Sequence, residues 1–410
     1  MPWKETCTMD ERVKFIGEWL SGEYPMRALC EAYGISRKTA YKWAERYRSD
    51  PEQGLLDRSR APHHRPHAID PAIAEALIGL RRRRHHWGPR KLLAYLERDR
   101  PEIAWPAAST VGDLLRRAGL VEAGRRRRSA LPVQRPFLPA AAANDIWCAD
   151  FKGWFRTSDG TRCDPLTISD AYSRYLLECR IVKPTGEGVR PRFERAFRTF
   201  GLPRAIRTDN GTPFASSGPA GLTRLSVHWV KLGIKLERIE PGQPQQNATH
   251  ERMHRTLKAE TSRPPASSPA AQQRRFDSFC QCYNQERPHE ALGQQTPASR
   301  YTPSARPYPS RIEDPWYDAD HAVRRIRHNG EIKWQGDYIF ISESLVGELV
   351  GIAETHAGNW IARFADLDLG IIDRKTRRLH RFSSPRPGRA DASERTGKSV
   401  TYVPGPNCHL

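Results

Sequence analysis

Apolar positions recur at helical spacing from Asp10 to Arg48, and Val13, Phe15, Ile16, Trp19 and Leu20 fall on one face before Gly22 and Pro25 interrupt the pattern. A short helix is expected from Met26 to Tyr33. Gly34, Ile35 and Ser36 then form a tight turn, and Ser36 is suited to cap a helix carrying Arg37, Lys38, Thr39, Tyr41 and Lys42. This is a helix-turn-helix pattern over residues 1–50, with a second helix that would present cations and hydroxyls to a major groove. Residues 51–67, with Pro51, Pro62 and Pro66, read as a linker. A second unit of the same kind is expected over residues 68–124, where helices around Arg90 to Arg98 and Ala107 to Ala118 follow the basic stretch Arg81 to Arg84. A basic linker at 125–137 follows, opening with Arg125 to Arg128.

From Asn144 the period changes from helical to alternating. Ile146 to Phe155, Pro165 to Ser169 and Leu176 to Val182 predict three strands able to pair as a meander. A helix at Gly188 to Phe200, a strand at Ala205 to Thr208, a helix near Leu225 to Leu232 and a strand at Lys235 to Ile239 come next. Helices over Gln246 to Glu260 and Arg274 to Gln285 complete a mixed α/β domain spanning 138–300. Six short apolar segments between 318 and 375, punctuated by Asn329-Gly330 and Gly358-Asn359, predict a small β-barrel. Residues 383–410 are poor in apolar side chains and are expected to be disordered.

Charge narrows the class of partner. The 410 residues hold 67 Lys and Arg against 47 Asp and Glu, a formal charge of +20, which favours a polyanion, nucleic acid above all. No apolar run reaches the roughly 20 residues that span a bilayer, and the first residues lack the apolar core of a secretory signal. A cytoplasmic protein without membrane association, on the nucleoid when bound to DNA, is the expectation. The 8 cysteines form no CxxC pair, which argues against a structural zinc site or a disulfide framework.

Three acids stand where catalysis would need them. Asp150 lies inside the first strand between apolar neighbours, where a carboxylate is costly unless something meets it. Asp209 ends the fourth strand, and Gly211 beyond it permits a sharp turn. Glu251 shares a helical stripe with Asn247, Arg255 and Lys258, a carboxylate beside a phosphate-binding surface. Three converging carboxylates can hold two Mg²⁺ ions roughly 4 Å apart, with Mn²⁺ as a substitute, one ion activating a nucleophile and the other stabilising the leaving oxygen. His250 and His254 flank Glu251 without matching the metalloprotease order, and are expected to make polar contacts at the DNA surface. Trp147 and Trp154 are expected to be packing residues.

Taken together, the segments Ile146 to Gly153, Thr208 to Phe214, Gln243 to Asn247, His250 to Lys258, Tyr283-Asn284, Glu286 to His289 and Thr296-Pro297 resemble the DDE transposases of bacterial insertion sequences, within the retroviral-integrase-like superfamily. The resemblance implies a ribonuclease H-like core with Asp150, Asp209 and Glu251 as metal ligands, and Arg255 and Lys258 on DNA phosphates. It implies double-stranded DNA partners, both terminal inverted repeats and target, a homo-oligomer on that DNA, and metal-dependent strand cleavage and transfer. A DNA-binding regulator that has lost catalysis is the alternative.

The chain departs from the family twice. The usual spacing from the second aspartate would land on Gln245, six residues before Glu251, and an enlarged loop around Ala215 to Thr223 is expected to absorb the excess. Glu237 and Glu240 are the rival acids. Ala248 replaces the glycine usual after the asparagine, a change that crowds the helix start.

Overall fold

The computed structural model describes residues 7–58, 69–121, 140–240, 248–355 and 358–382. Asn247, Arg125 to Arg128, most of the expected 51–67 linker and the tail from Ser383 lie outside them. The described residues fall into two compact units divided between Asp70 and Pro71.

The first unit contains α1 (Thr8–Ser21), α2 (Met26–Ala32) and α3 (Arg37–Ser49). Its core is built from Phe15, Ile16, Leu29, Cys30, Ala40, Trp43 and Leu55. Val13 and Leu20, expected on the packed face of α1, are instead exposed. Three helices this short enclose a narrow core, and only the centre of the apolar stripe reaches it. Leu55 extends the unit into what read as linker, and Arg12 fixes that end by donating to the Leu55 carbonyl at 2.8 Å. The turn between α2 and α3 rests on Gly34, whose φ of 61° suits a residue without a Cβ.

The second unit opens with α4 (Pro71–Arg83), α5 (Pro89–Asp99) and α6 (Ala108–Arg117), packed through Leu77, Trp87, Leu92, Val111 and Leu115. A mixed sheet follows, built from β1 (Ile146–Phe151), β4 (Pro165–Asp170), β5 (Leu176–Ile181), β6 (Ala205–Thr208) and β7 (Lys235–Arg238) in the order β5-β4-β1-β6-β7. The β1, β4 and β5 strands form an antiparallel meander, while β6 and β7 run parallel to β1. This is the ribonuclease H-like arrangement expected. The first strand does not run on to Phe155: Gly153 turns the chain at φ 86° into a small hairpin of β2 (Phe155–Arg156) and β3 (Arg162–Cys163).

Both faces of the sheet are covered. Trp147, Ala149, Leu166 and Ile168 pack under α7 (Gly186–Phe200) and α8 (Arg224–Lys231). Period-two alternation therefore sends Asp150, Thr167 and Ser169 to the opposite face, toward α9 (Ala248–Thr261) and α10 (Pro269–Gln281). The last helix starts earlier than its pattern suggested, at Pro269 capped by Ser268, and passes into a π-helical turn at Cys282–Glu286.

That turn serves the sheet edge. The Asn284 side chain accepts from the Leu176 N–H at 2.8 Å and donates to its carbonyl at 2.9 Å. Gln273 does the same further along β5, accepting from the Ile181 N–H at 3.0 Å and donating to the Cys179 carbonyl at 2.9 Å.

The proline-rich connection after Tyr301 lies along the core, with Arg306 donating to the carbonyls of Pro203 and Leu232, both at 2.9 Å. Beyond it, β8 (Ala322–Arg325), β11 (Leu349–Glu354), β12 (Trp360–Phe364), β13 (Leu367–Ile372) and β14 (Leu379–His380) form one open sheet, and β9 (Glu331–Trp334) pairs only with β10 (Asp337–Phe340). No barrel closes among the described residues, contrary to expectation. The two sheets share one core, and Leu222 and Val227 of the preceding domain enter it. Leu222 belongs to the enlarged loop, so the extra residues after Asp209 form part of the seat for this sheet.

Candidate active site

The three expected acids come from three elements. Asp150 is at the end of β1, Asp209 directly follows β6, and Glu251 sits in the first turn of α9. Parallel pairing of β1 with β6 brings the first two to one sheet edge, and α9 crosses the face on which Asp150 points. Burial, then the charge of Asp209, raises the Asp150 carboxyl to about 7; the Phe151 N–H opposes this, and Glu251 adds a smaller push upward. Asp209 is steadied by the Gly211 N–H at 3.2 Å. Of the rival acids, Glu237 is engaged by Arg207 at 2.8 Å across β6 and β7.

The helix that carries Glu251 has two faces. Glu251, Arg255 and Lys258 are exposed on one, while Met253 and Leu257 are buried on the other. His250 and His254 belong to the buried side rather than to a DNA surface. The Thr167 hydroxyl lies 2.7 Å from His250 Nε2 and 2.6 Å from His254 Nε2, Ser169 lies 2.9 Å from His250 Nδ1, and Thr167 donates to the Asp150 carbonyl at 3.1 Å. Burial holds both imidazoles neutral, His250 well below its usual range and His254 down to about 3. Sequence reasoning missed this role, although a histidine pair at i, i+4 opposite Thr-x-Ser on a strand is a legible signal. The helix is also held farther along, where Glu260 pairs with buried Arg287 at 2.6 Å.

Cations border the acids. Lys152, two residues past Asp150, is lowered by burial and then by the charges of Lys258 and Arg263, and its ammonium lies over the Phe155 ring at 5.3 Å. None of them pairs with a carboxylate among the described residues. In the first unit, Arg37, Lys38 and Lys42 are exposed, whereas Thr39 is drawn into the helix cap, 2.9 Å from the Ser36 hydroxyl. Trp147 is fully buried, as expected, but Trp154 is 57% exposed and is not a packing residue.

The donor set suits a hard divalent cation: oxygen ligands whose mutual repulsion a cation would relieve. As placed, no group of three acidic, histidine or cysteine side chains among the described residues is close enough to enclose one. Glu251 is the exposed member of the three, at the start of its helix, while Asp150 and Asp209 are half-buried.

Family models described as integrase core domain match residues 140–244 and 232–297. Models described as helix-turn-helix domain and homeodomain-like domain match 11–63 and 39–115. The fold and these matches define an integrase-core protein with DNA-binding helical modules. Among curated relatives, the insertion element IS407 uncharacterized 31.7 kDa protein of Burkholderia multivorans is 29% identical over 277 residues, 67% of this chain and 93% of the relative. The insertion element IS476 uncharacterized 39.2 kDa protein of Xanthomonas euvesicatoria is 30% identical over 238 residues, 55% of this chain and 64% of the relative. The chain thus carries integrase-core and helix-turn-helix domains and is similar to proteins of bacterial insertion elements. The simian T-cell lymphotropic virus intasome structure superposes at 19% identity over 76% of this chain and 100% of that one, with a TM-score of 0.36, too loose to carry an argument. No helix among the described residues is long and apolar enough to cross a membrane.

Proposed function

We propose that the protein binds the terminal repeats of its insertion sequence and catalyses metal-dependent cleavage and transfer of DNA strands, with Asp150, Asp209 and Glu251 as the metal-holding residues. The observation that carries this reading is the parallel register of β1 and β6, which sets Asp150 level with Asp209 at one sheet edge, with Glu251 in the first turn of the helix that crosses that face. A bound Mg²⁺ or Mn²⁺ pair would activate the attacking oxygen and stabilise the leaving one. The chain's own part is positional. Thr167, His250 and His254 fix α9 against the sheet, so that Glu251 has a defined approach to Asp150. Arg255 and Lys258, exposed one and two turns beyond Glu251, are placed to take the phosphates flanking the scissile bond, with Asn247 expected ahead of them. In the first unit, Arg37, Lys38 and Lys42 present the cationic face that would meet the repeat. Assembly as a homo-oligomer on two DNA ends follows from the need to process both.

The test is strand joining in Mg²⁺ with labelled DNA bearing the element's own ends, comparing the wild type with Glu251→Gln and Glu240→Gln. Loss on the order of 10³-fold, from several kcal/mol of lost charge stabilisation, is expected for Glu251→Gln alone. Loss confined to Glu240→Gln would move the site. Tight end binding with no joining by the wild type would favour an inactive DNA-binding regulator.

A further inference from the structure

Trp154 is the feature that the preceding reading leaves unused. Gly153 reverses the chain after β1, and the indole stands 57% exposed beside the β2–β3 hairpin, where an apolar ring of this size gains nothing from packing. Its orientation is set from that hairpin. The guanidiniums of Arg162 and Arg156 lie over the ring at 5.2 and 5.9 Å. Both arginines are themselves tied down, Arg162 to both oxygens of Asp164 at 2.7 and 2.9 Å, and Arg156 to the Gly160 carbonyl at 2.6 Å. The hairpin in turn is latched to the segment after α9, where the Ser158 N–H donates to the Ala266 carbonyl at 2.9 Å. The ring is thus pre-oriented at little further entropic cost, in a cationic setting.

Trp154 lies four positions after Asp150, at most roughly 14 Å of extended chain. Between them comes Lys152, its ammonium over the Phe155 ring at 5.3 Å, while Lys258 on α9 and Arg263 just past its end are exposed; none of the three pairs with a carboxylate among the described residues. A cationic cluster beside an exposed, oriented aromatic ring matches the chemistry of a single nucleic-acid strand, with phosphates on the cations and a base on the ring. Duplex DNA offers such a ring only the outer face of its terminal base pair, whereas an unpaired base can turn fully onto it.

We propose that Trp154 is a stacking surface for an unpaired base of the DNA end entering the active site, with Lys152, Lys258 and Arg263 holding the adjoining phosphates. The proposal rests on the reading of the acid site as one that acts on DNA strands, and it adds that the end is received frayed or overhanging.

The full-length protein is tested by fluorescence anisotropy in EDTA at fixed salt, with a 20-base-pair duplex ending in a three-nucleotide 3′ overhang and the same duplex blunt. 2-Aminopurine in the overhang gives a second readout. The wild type should prefer the overhang and quench the probe. Trp154→Ala should reduce that preference roughly 5- to 150-fold, the range one base stacked on an aromatic ring contributes. Trp154→Phe should keep most of it, and Trp316→Ala, which removes another exposed indole, should change nothing. Equal binding of the two duplexes by the wild type, or a preference and quenching that survive Trp154→Ala, overturns the proposal. Binding in EDTA is independent of cleavage. An overhang preference without joining in Mg²⁺ would remove the transferase reading and leave the stacking surface, whereas joining with no role for Trp154 would do the reverse.

Discussion

In α1–α3 the leading cations of the third helix, Arg37, Lys38 and Lys42, face solvent, whereas in α4–α6 several cations are drawn against the integrase core. The two modules begin from similar apolar patterns. Arg37, Lys38 and Lys42 meet no carboxylate among the described residues. In contrast, Arg84 pairs with Glu286, Arg90 with Glu290 at 3.1 Å, and Arg98 donates to the Glu286 carbonyl at 3.1 Å. Lys91 is lowered to about 8 by burial and then by neighbouring Arg287, and Cys282 of the core joins the module's own apolar cluster. A basic helix is therefore not by itself evidence of a DNA reader, because the same charges can hold two parts of one chain together. In the first module these cations meet no carboxylate among the described residues, and in the second they tie the helices to the core.

The sharpest way to break this comparison is at Arg287. It is 6% exposed and joins Glu260 of α9 to the turn against which the second module packs. Arg287→Ala leaves Glu260 without its buried partner and should cost about 3–5 kcal/mol in urea unfolding, lowering strand joining as α9 loosens. Arg37→Ala should leave stability within ~0.5 kcal/mol while weakening end binding and reducing its salt slope by about one. If Arg37→Ala destabilises and Arg287→Ala does not, the roles of the modules are reversed.

Acid should separate the units next. No histidine lies in residues 7–58, whereas burial holds His228 at about 4 and His289 at about 3 in the second unit. Both are depressed below the ordinary imidazole value, so their contribution is complete above about pH 6.5 and is lost as the pH falls toward 4 and 3. Each should remove about 1.4 kcal/mol per pH unit over that window. Calorimetry should therefore show the second unit's transition moving down between pH 6.5 and 4.5, while any transition of the first unit holds. His228→Gln should flatten the slope; an unchanged slope would assign the effect elsewhere. The smallest effect belongs to Arg90→Ala: both partners of the Arg90–Glu290 pair are about three-quarters exposed, and its loss should cost at most ~1 kcal/mol.

The element order, the mixed sheet and the placement of three acids were legible because they depend on local period and on short, distinctive segments. What was not legible depends on contacts made across the chain. The strands of the C-terminal domain were found, yet closure of a barrel depends on which edges meet, and among the described residues β9 and β10 pair only with each other. His250 and His254 read as surface groups because their partners, Thr167 and Ser169, lie some eighty residues earlier. Trp154 read as core because its ring is large, and only the turn at Gly153 turns it outward. Family segments favour Glu251 over Glu237, whereas the pairing of Glu237 with Arg207 depends on β6 lying beside β7.

The side chains along β5 bear on how copies of this protein can meet. An outermost strand ordinarily presents free N–H and C=O groups, an invitation to another strand from any unfolded or misassembled neighbour. Asn284 and Gln273 occupy those positions as surrogate backbone, so the β5 margin is closed to strand addition. Copies brought together at high local concentration would then be kept from zipping into a continuous sheet along this margin, and any assembly would have to use other surfaces.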